Sequence, residues 1–286
     1  MASSLHNRMT RASNRVAFVV CILFTVFILA LLALVTGYLV KIGFGSLSWD
    51  FFTKEPSGDP KFPGGMRHAL VGTGVLILLA SAVGIPLGML TGVYLAEYDA
   101  KSFIASPVRF ICDVLAGVPS IVVGILGYEL LVAPFSRYNA WAGSLALAFI
   151  MIPIVARTTE EMLRLVPNSY REASIALGAT KAWTIIRVVI PAATGSIVTG
   201  IMLAIARVAG ETAPLLFTAL GSRFTPTGWS DLNNPFPSLT AQIFSNSIQP
   251  APETRALAWA GIIVLISLIF VLNLGMRVFT RSRHPG

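Results

Sequence analysis

The stretch SYREASIALGATKAWTIIRVVIP, residues 169–191, is a polar-rich segment between two long apolar stretches of the chain. Ser169 and Glu172 have the S-x-x-E spacing of a capping box, which predicts that a short helix begins here. Gly178 falls directly after this helix, where a left-handed C-terminal cap is common. A helix of about two or three turns is marginal in water by itself. We therefore expect the segment to dock on another surface.

The second half of the same segment predicts another helix. Thr180 is a suitable N-cap residue. Trp183, Ile186 and Val189 form an apolar stripe at helical spacing that leads to Pro191 and the next apolar stretch. We expect the polar segment to be two short helices joined at a glycine, placed directly before a membrane span.

Small side chains at Ala173, Ser174 and Ala176 would let another protein approach the first helix closely. The pattern E-A-S-x₃-G-x₉-V-x-I-P over residues 172–191 resembles the EAA motif of ABC importer permeases, E-A-A-x₃-G-x₉-I-x-L-P. The departures from that motif roughly conserve side-chain volume. In that family the motif forms the coupling helix, which sits in a cleft of the ATP-binding subunit. An amphipathic re-entrant loop is the structural alternative. The resemblance implies contact with the ATP-binding subunit for Tyr170, Arg171, Glu172, Ala173, Ser174, Leu177 and Gly178.

The composition is that of an integral membrane protein. Of the 286 residues, 55% are hydrophobic and 12% are charged, and the mean hydropathy is +0.76. Several apolar runs reach the roughly 20 residues that a helix needs to cross a bilayer. We therefore predict an all-α, polytopic membrane protein.

The net charge of +8 does not indicate nucleic-acid binding, because the basic residues lie mostly in short loops beside apolar stretches. Cys21 and Cys112 lie in or beside apolar stretches without metal-ligand neighbours, so we predict packing roles and no disulfide framework. The chain contains no G-x-x-x-x-G-K-[ST] phosphate loop, and it shows no catalytic constellation of Ser/His/Asp, metal ligands or paired carboxylates. We expect neither an ATPase nor another enzyme in this chain.

The apolar stretches predict six transmembrane spans. They cover residues 16–40, 69–96, 108–133, 140–156, 192–220 and 257–278. The first stretch is too long for the apolar core of a signal peptide and lacks a convincing cleavage site, so we expect it to be retained. Pro86 predicts a kink in the second span. The fourth stretch is short enough to run nearly upright.

The predicted organisation has four parts. They are a cytoplasmic tail at 1–15, the first span with an outer loop at 16–64, a transmembrane core at 65–280 that includes a cytoplasmic loop at 157–190, and a cytoplasmic tail at 281–286. The outer regions 41–68 and 221–255 are rich in proline and are expected to be irregular. Within the second, 237–244 predicts a short surface helix or a simple cap over the bundle.

The distribution of basic residues predicts the orientation. With six spans both termini lie on one side, and that side carries thirteen Lys and Arg residues against seven on the other. The positive-inside rule places both termini and the 169–191 segment in the cytoplasm. This is the side on which ATP is available.

A charged pair lies inside the fifth predicted span. Arg207 and Glu211 are four residues apart, which places them on one face of a helix. A central Arg costs about 2.5–3.5 kcal/mol on the insertion scale, which nearly cancels the gain from the apolar residues of this span. The face therefore needs protein neighbours or water. The guanidinium can donate paired hydrogen bonds to an oxyanion, and Thr212 can add another. A purely structural ion pair remains the alternative.

The sequence AIARVAGETAPLLFTAL, residues 204–220, resembles the signature of the A-type permease subunits of phosphate-specific ABC importers. The likeness covers about residues 65–280. It implies the type I importer permease fold and phosphate passage along Arg207 and Glu211. It also implies a homologous second permease, two ATP-binding subunits and an extracytoplasmic phosphate-binding protein. ATP and Mg²⁺ would be bound by the partner subunits, and this chain would need no cofactor.

Weaker candidates and rival functions remain open. Asp113 and Glu129 could line the pathway or pair with a neighbouring subunit, and His68 has the features of an ordinary loop histidine. The rivals are an importer for sulfate, molybdate or an amino acid, an ATP-independent transporter or channel, and a membrane scaffold. The expected location is the plasma (inner) membrane of a bacterium or archaeon.

Overall fold

The computed structural model describes residues 2–59, 61–98 and 103–281, with side chains from residue 14 to residue 275 within these ranges. This part of the chain is almost entirely helical, with one small β-hairpin. The α-helices are α1 (Ala2–Ser46), α2 (Trp49–Thr53), α3 (Arg67–Val93), α4 (Ala105–Gly117), α5 (Ser120–Gly127), α6 (Ala140–Arg164), α7 (Asn168–Ala176), α8 (Lys181–Thr184), α9 (Ile190–Ala209), α10 (Ala213–Thr218), α11 (Leu239–Ser247) and α12 (Pro252–Arg281). The hairpin pairs β1 (Pro56–Asp59) with β2 (Phe62–Gly64). The predicted all-α membrane class is confirmed.

Five helical segments in the described part are long and apolar enough to cross a membrane. They are Asn14–Ser46, Arg67–Tyr98, Ala140–Arg164, Lys181–Ala209 and Pro252–Gly275. Short π-helical turns, Tyr94–Tyr98 and Ile185–Val189, extend α3 and join α8 to α9.

A sixth segment is a helix pair bent by 103° between Ala105–Gly117 and Ser120–Phe135. The bend lies at Pro119, whose extended backbone stops α4 and begins α5. Arg109 on α4 bonds Glu160 near the carboxyl end of α6, whereas a side chain at Gly127 on α5 would contact Ala146 near the opposite end. The pair therefore runs antiparallel along α6, and we count it as one span, which gives the predicted six.

The predicted end of the fourth span is wrong. The fourth span was expected at 140–156, but α6 continues to Arg164. Polar residues beyond 156 end the apolar run without ending the helix, because pairs such as Arg157–Glu161 and Arg164–Glu160 support the helix at i,i+4 spacing. The expected loop at 157–190 is consequently mostly helical.

The fifth span is also different from the prediction. A single span was expected over 192–220, with a helix loosened by Gly210 and Pro214, but the helix is fully interrupted: α9 ends at Ala209 and α10 begins at Ala213. Gly210 ends the first helix, and Pro214 favours a new first turn because proline fits the start of a helix.

The outer regions are more ordered than their proline content predicts. In 41–68, α1 continues to Ser46 and is followed by α2 and the β-hairpin. In 221–255, α11 is largely buried at Leu239, Thr240 and Ala241. The short helix predicted in 237–244 exists as α11, and its buried first turn covers the end of the bundle as a cap.

The predictions for the two ends of the chain have different outcomes. The 1–15 tail is helical from Ala2, and its first thirteen side chains lie outside the described ones. The last span begins at Pro252 and not at 257. Residues 282–286 of the second tail lie outside the described residues.

The centre of the bundle is the contact between α3 and α6. Gly84, Gly88 and Gly92 lie one turn apart on α3, and their missing side chains let Met151, Val155 and Thr159 of α6 approach. A Cβ at Gly88 would lie 2.7 Å from the Cβ of Val155. Small residues at this spacing allow two membrane helices to pack with their backbones close together. Pro86 lies inside α3 without ending it.

Helix α1 packs at the edge of this bundle. Its apolar window has no buried residues within the chain. Near its end it contacts α12 through an edge-to-face pair of Tyr38 and Trp259, with ring centroids 6.1 Å apart. Gly43 lies against Ile263 so closely that a side chain there would collide with it.

Candidate functional site

The predicted short helix exists as α7, but its first turn differs from the prediction. The N-cap position is Pro167 and makes no side-chain cap, so Ser169 lies inside the helix and the predicted capping box is wrong. The extended backbone of Pro167 sets the start of the helix one residue before the hydroxyl that the spacing favoured.

The end of α7 confirms the predicted glycine cap. Gly178 has a φ of +85°. Its N–H donates to the carbonyl of Ile175 at 2.9 Å, and the N–H of Ala179 donates to Ser174 at 3.2 Å. These two bonds are the Schellman pattern, in which glycine takes the left-handed conformation without steric cost.

The second helix begins as predicted, at a Thr180 cap that accepts a bond from the Trp183 N–H at 3.3 Å. From Lys181 it continues without a break to Ala209. Along the expected apolar stripe Trp183 and Ile186 are exposed and Val189 is buried. A force on this short helix therefore acts directly on a candidate membrane span.

Two residues expected on the contact surface of α7 face their own chain instead. The Arg171 guanidinium lies 2.5 Å from Glu97 and also donates to the carbonyls of Val166 at 2.6 Å and Leu163 at 2.8 Å. Ser174 is buried, and its hydroxyl lies 2.8 Å from that of Thr184. Arg171 therefore fixes α7 to the carboxyl-terminal ends of α3 and α6, and Ser174 fixes it to α8.

The opposite side of α7 is exposed. We call Tyr170, Glu172, Ala173, Leu177 and Gly178 the free face of α7. Leu177 is 90% exposed and Tyr170 is 55% exposed. The pattern at 169–191 did not single out Ile175, which is also exposed, at 54%. Exposed apolar side chains on a short polar segment are typical of a protein contact.

A second ionic cluster lies near α7 and was not foreseen. Glu160 has a side chain that is 2% exposed, and it lies 2.6 Å from both Arg109 and Arg164 and 3.8 Å from Arg157. Arg109 also donates to the carbonyl of Leu95 at 2.8 Å. The cluster joins α4, α6 and the end of α3, so three spans are held together where α7 is attached.

The predicted intramembrane pair lies at the break between α9 and α10. Arg207 is in the last turn of α9, where a cation complements the unpaired carbonyls of a helix end. Glu211 lies beyond Gly210, so the two residues do not share one continuous helical face as predicted. The Arg207 Nε and Glu211 Oε1 atoms are 4.0 Å apart, with side chains 55% and 15% exposed. The pair is in contact but loose.

The depth of Arg207 follows from the packing of α9 on α6. A Cβ at Gly200 would lie 2.7 Å from Thr158. Arg207 is seven residues further along and thus about 10 Å closer to the outer end of α6, which begins at Ala140. This places Arg207 about 17 Å from that end, near the middle of a membrane about 30 Å thick.

The break between α9 and α10 is connected to the outer cap, by which we mean the two outer regions 41–68 and 221–255. The Thr240 hydroxyl at the start of α11 donates to the Glu211 carbonyl at 2.9 Å. Thr212 is the N-cap residue of α10, and its side chain makes no capping bond. The half-exposed guanidinium of Arg207 thus lies beside a carboxylate and irregular backbone. This arrangement can receive an oxyanion if a neighbouring subunit keeps lipid away.

The other charged candidates are not part of this site. Asp113 and Glu129 are exposed on α4 and on the π-helical turn after α5. His68 is fully buried, in the first turn of α3, and is therefore not a loop residue as predicted. In the described part of the chain no three His, Cys, Asp or Glu side chains come together as metal ligands would.

A bundle of about six candidate spans, a short helix with an exposed apolar face, and a charged pair at a break within the fifth span define a polytopic membrane transport subunit. A family model for "Binding-protein-dependent transport system inner membrane component" matches residues 84–284. The chain belongs to this family.

Relatives at high identity agree with this assignment. The "Phosphate transport system permease protein PstA" of Yersinia pestis is 43% identical over 275 residues, covering 96% of this chain and 92% of that protein. The protein of the same name from Pasteurella multocida is 37% identical, with 97% and 98% covered. The one from Mycobacterium leprae is 40% identical, with 92% and 87% covered.

Solved structures confirm the type I importer permease fold. One chain of the inward-facing MetNI methionine ABC transporter superposes with a TM-score of 0.57 at 18% identity, covering 76% of this chain and 94% of that one. A chain of a bacterial ABC transporter for import of the acidic polysaccharide alginate superposes with a TM-score of 0.63 at 15% identity, covering 96% and 99%.

Proposed function

We propose that this chain is a permease subunit of an ATP-driven ABC importer for inorganic phosphate, and that it forms half of the translocation pathway. The observation that carries the proposal is the agreement of two independent features. Relatives up to 43% identical over nearly the whole chain are phosphate transport system permeases. The chain also holds Arg207 in the fifth span, with a half-exposed guanidinium whose paired N–H donors suit a tetrahedral oxyanion.

The exposure of Arg207 supports a second permease as the other half. An arginine facing lipid at mid-membrane is costly, and such residues usually face a bundle interior or a water-filled cavity. At 55% exposure the Arg207 side chain is not covered by its own chain. A homologous permease placed against this face would enclose the guanidinium in an aqueous path. Glu211 balances the charge when the path is empty, and Thr212 adds a hydroxyl.

The free face of α7 binds one of two ATP-binding subunits, which hold the ATP and Mg²⁺, so this chain needs no cofactor and performs no catalysis. Arg171 and Ser174 have a different role from the one expected. They fix the contact helix to α3, α6 and α8 instead of contacting the motor. Closure of the ATP-binding pair would move α7, and the continuous helix from Lys181 to Ala209 would carry that motion to Arg207.

The orientation follows from the same proposal. The free face of α7 and both termini lie in the cytoplasm of a bacterium or archaeon, and the outer cap faces a soluble phosphate-binding protein. Thr225 in the 221–255 region donates its N–H to Glu55 beside the hairpin at 3.2 Å, so the two outer regions form one joined surface. Crosslinks from this surface to the binding protein are expected. Their complete absence would remove the docking part of the proposal.

The test is reconstitution in liposomes with radioactive phosphate. The complete complex with ATP inside and the binding protein outside is expected to import phosphate, and excess sulfate, molybdate or amino acids are expected not to compete. The chain alone is expected to be inactive. Transport by the chain alone would favour a secondary transporter or channel, and strong competition by another solute would change the substrate.

A further inference from the structure

A cavity of about 420 Å³ lies inside the outer cap, away from the Arg207 pair. The hairpin forms one wall, residues 220–223 after α10 form the second, and α11 forms the third. The polar or charged residues that line it include Asp59, Ser222, Arg223, Ser238, Gln242 and Asn246. A space of this size accommodates a small hydrated anion.

The α11 wall holds a buried hydroxyl that is unused within the described chain. Ser238 is the N-cap residue of α11, yet its side chain makes no capping bond. It is 2% exposed, and its Oγ has no hydrogen-bond partner among the described residues. Buried polar groups are normally paired, so an unpaired one at a cavity indicates a ligand or water. The positive end of the nine-residue helix α11 lies at the same place.

Asn246 supplies a second donor on the same wall. It is 6% exposed, and its Oδ1 accepts a bond from the Gln242 Nε2 at 2.9 Å. With the oxygen engaged in this way, the remaining polar group of the Asn246 side chain is its NH₂. Neutral donors of this kind bind an oxyanion without holding it as strongly as a buried cation would.

Arg223 supplies positive charge at the hairpin side of the cavity. Its guanidinium lies over Gly58, in van der Waals range of the position that a Cβ would take there. The left-handed backbone of Gly58, with φ +80°, favours glycine at this position. Asp59 lies on the same hairpin wall and repels anions, so the favoured position for an anion is on the α11 side.

The cavity is linked to the intramembrane site. Leu216 of α10, one turn beyond the break, lines it. Two residues after Ser238, the Thr240 hydroxyl bonds the Glu211 carbonyl. An anion at Ser238 would therefore be one short helix away from Glu211 and Arg207.

We propose that this cavity is a transient binding site for a protonated tetrahedral oxyanion on its way to Arg207, with Ser238 and Asn246 as donors and Arg223 as the attracting charge. The inference rests on the proposed function, with phosphate as the anion. It adds an outer relay position that receives the ion before the membrane-spanning part of the pathway.

The test uses the complete complex in liposomes with saturating phosphate-loaded binding protein. Ser238→Ala removes an unpaired hydroxyl, so we expect unchanged or higher thermal stability together with at least a ten-fold lower initial rate of phosphate import. Asn246→Asp keeps the shape and the acceptor for Gln242 but replaces the donor by a negative charge, and we expect a larger loss. ATP hydrolysis stimulated by the binding protein is expected to stay within two-fold. Ser247→Ala, outside the cavity, is the matched control.

A direct readout uses Gln249→Cys, at a cavity-lining position that is not one of the proposed donors, together with Cys21→Ser. Millimolar inorganic phosphate is expected to slow its modification by a charged thiol reagent at least five-fold, whereas the same concentration of chloride is not. Wild-type import rates in both variants, or no protection by phosphate, would overturn the relay site. If the unmodified complex imports no phosphate at all, the proposed function itself fails.

Discussion

The buried ion pair between Arg171 and Glu97 offers the sharpest test of how α7 is attached to the membrane spans. Arg171→Ala would leave the Glu97 carboxylate, only 5% exposed, without its cation. It would also remove the donor that serves the Leu163 and Val166 carbonyls. We expect that α7 then remains folded but no longer moves together with α3 and α6.

The size of the effect follows from burial. Removing one partner of a fully buried pair costs about 3–5 kcal/mol. The Arg171 side chain is 18% exposed and lies at the ends of the helices, so solvent screening lowers this to about 2–3 kcal/mol. A cost of about 2 kcal/mol shifts the equilibrium between attached and detached α7 by about 30-fold.

The assay records ATP hydrolysis and phosphate import in the same liposomes, and the thermal stability of the complex in detergent. For Arg171→Ala we expect hydrolysis to continue while the phosphate imported per ATP falls at least ten-fold. Glu97→Ala should act alike, and the double variant should be less damaged than the sum of the two, with a coupling energy of about 2 kcal/mol.

The matched control is the exposed pair of Asp50 and Lys54, which are 2.7 Å apart but 52% and 61% exposed. An exposed i,i+4 pair is worth only about 0.3–0.5 kcal/mol, so its variants should leave import unchanged. The reasoning is refuted if Arg171→Ala and Glu97→Ala are strictly additive, or if they affect import no more than the control variants do.

Three further predictions test separate features. Gly178→Val should reduce the coupling of ATP hydrolysis to phosphate import, because φ +85° strains a β-branched residue by about 1–2 kcal/mol. Gly178→Asn should keep most of the activity, and equal activity of the two variants would contradict the left-handed cap. Gly88→Ala should lower the melting temperature of the complex, because overpacking against α6 costs about 1–3 kcal/mol. Gly74→Ala on the same helix has open space around it and should not, so equal melting temperatures of the two variants would refute this packing. Thr225, whose backbone N–H donates to the carboxylate, lowers the pKa of Glu55 below its ordinary value, so this contact between the outer regions is fully present above that ordinary value and is lost as pH falls through the lowered pKa. Fluorescent labels on the two regions should report this loss, and Glu55→Gln should abolish its pH dependence.

The sequence was sufficient for features that depend on local chemistry. The apolar runs predicted the spans, Gly178 predicted the left-handed cap, and Thr180 predicted the second helix start, because each depends on neighbouring residues. The boundary at 156 was wrong because hydropathy reports where lipid ends, and α6 continues beyond that point through its i,i+4 ion pairs.

Features that depend on distant residues were not predictable in this way. Arg171 meets Glu97 across 74 positions of sequence, and Arg109 meets Glu160 across 51. No spacing rule connects such pairs, so the contacts of Arg171 within its own chain could not be foreseen. The break at Gly210 was only suggested by the composition, because glycine and proline are tolerated within membrane helices as well as at their ends.

The central claim is that the mid-membrane guanidinium of Arg207 recognises the passing anion. The most direct measurement is ATP-dependent phosphate import by the complete complex carrying Arg207→Lys, with hydrolysis and assembly measured in parallel. Lysine keeps the positive charge but loses the planar pair of donors. We predict assembled complexes that hydrolyse ATP and import phosphate at least ten-fold more slowly. Import at the unmodified rate would contradict the claim.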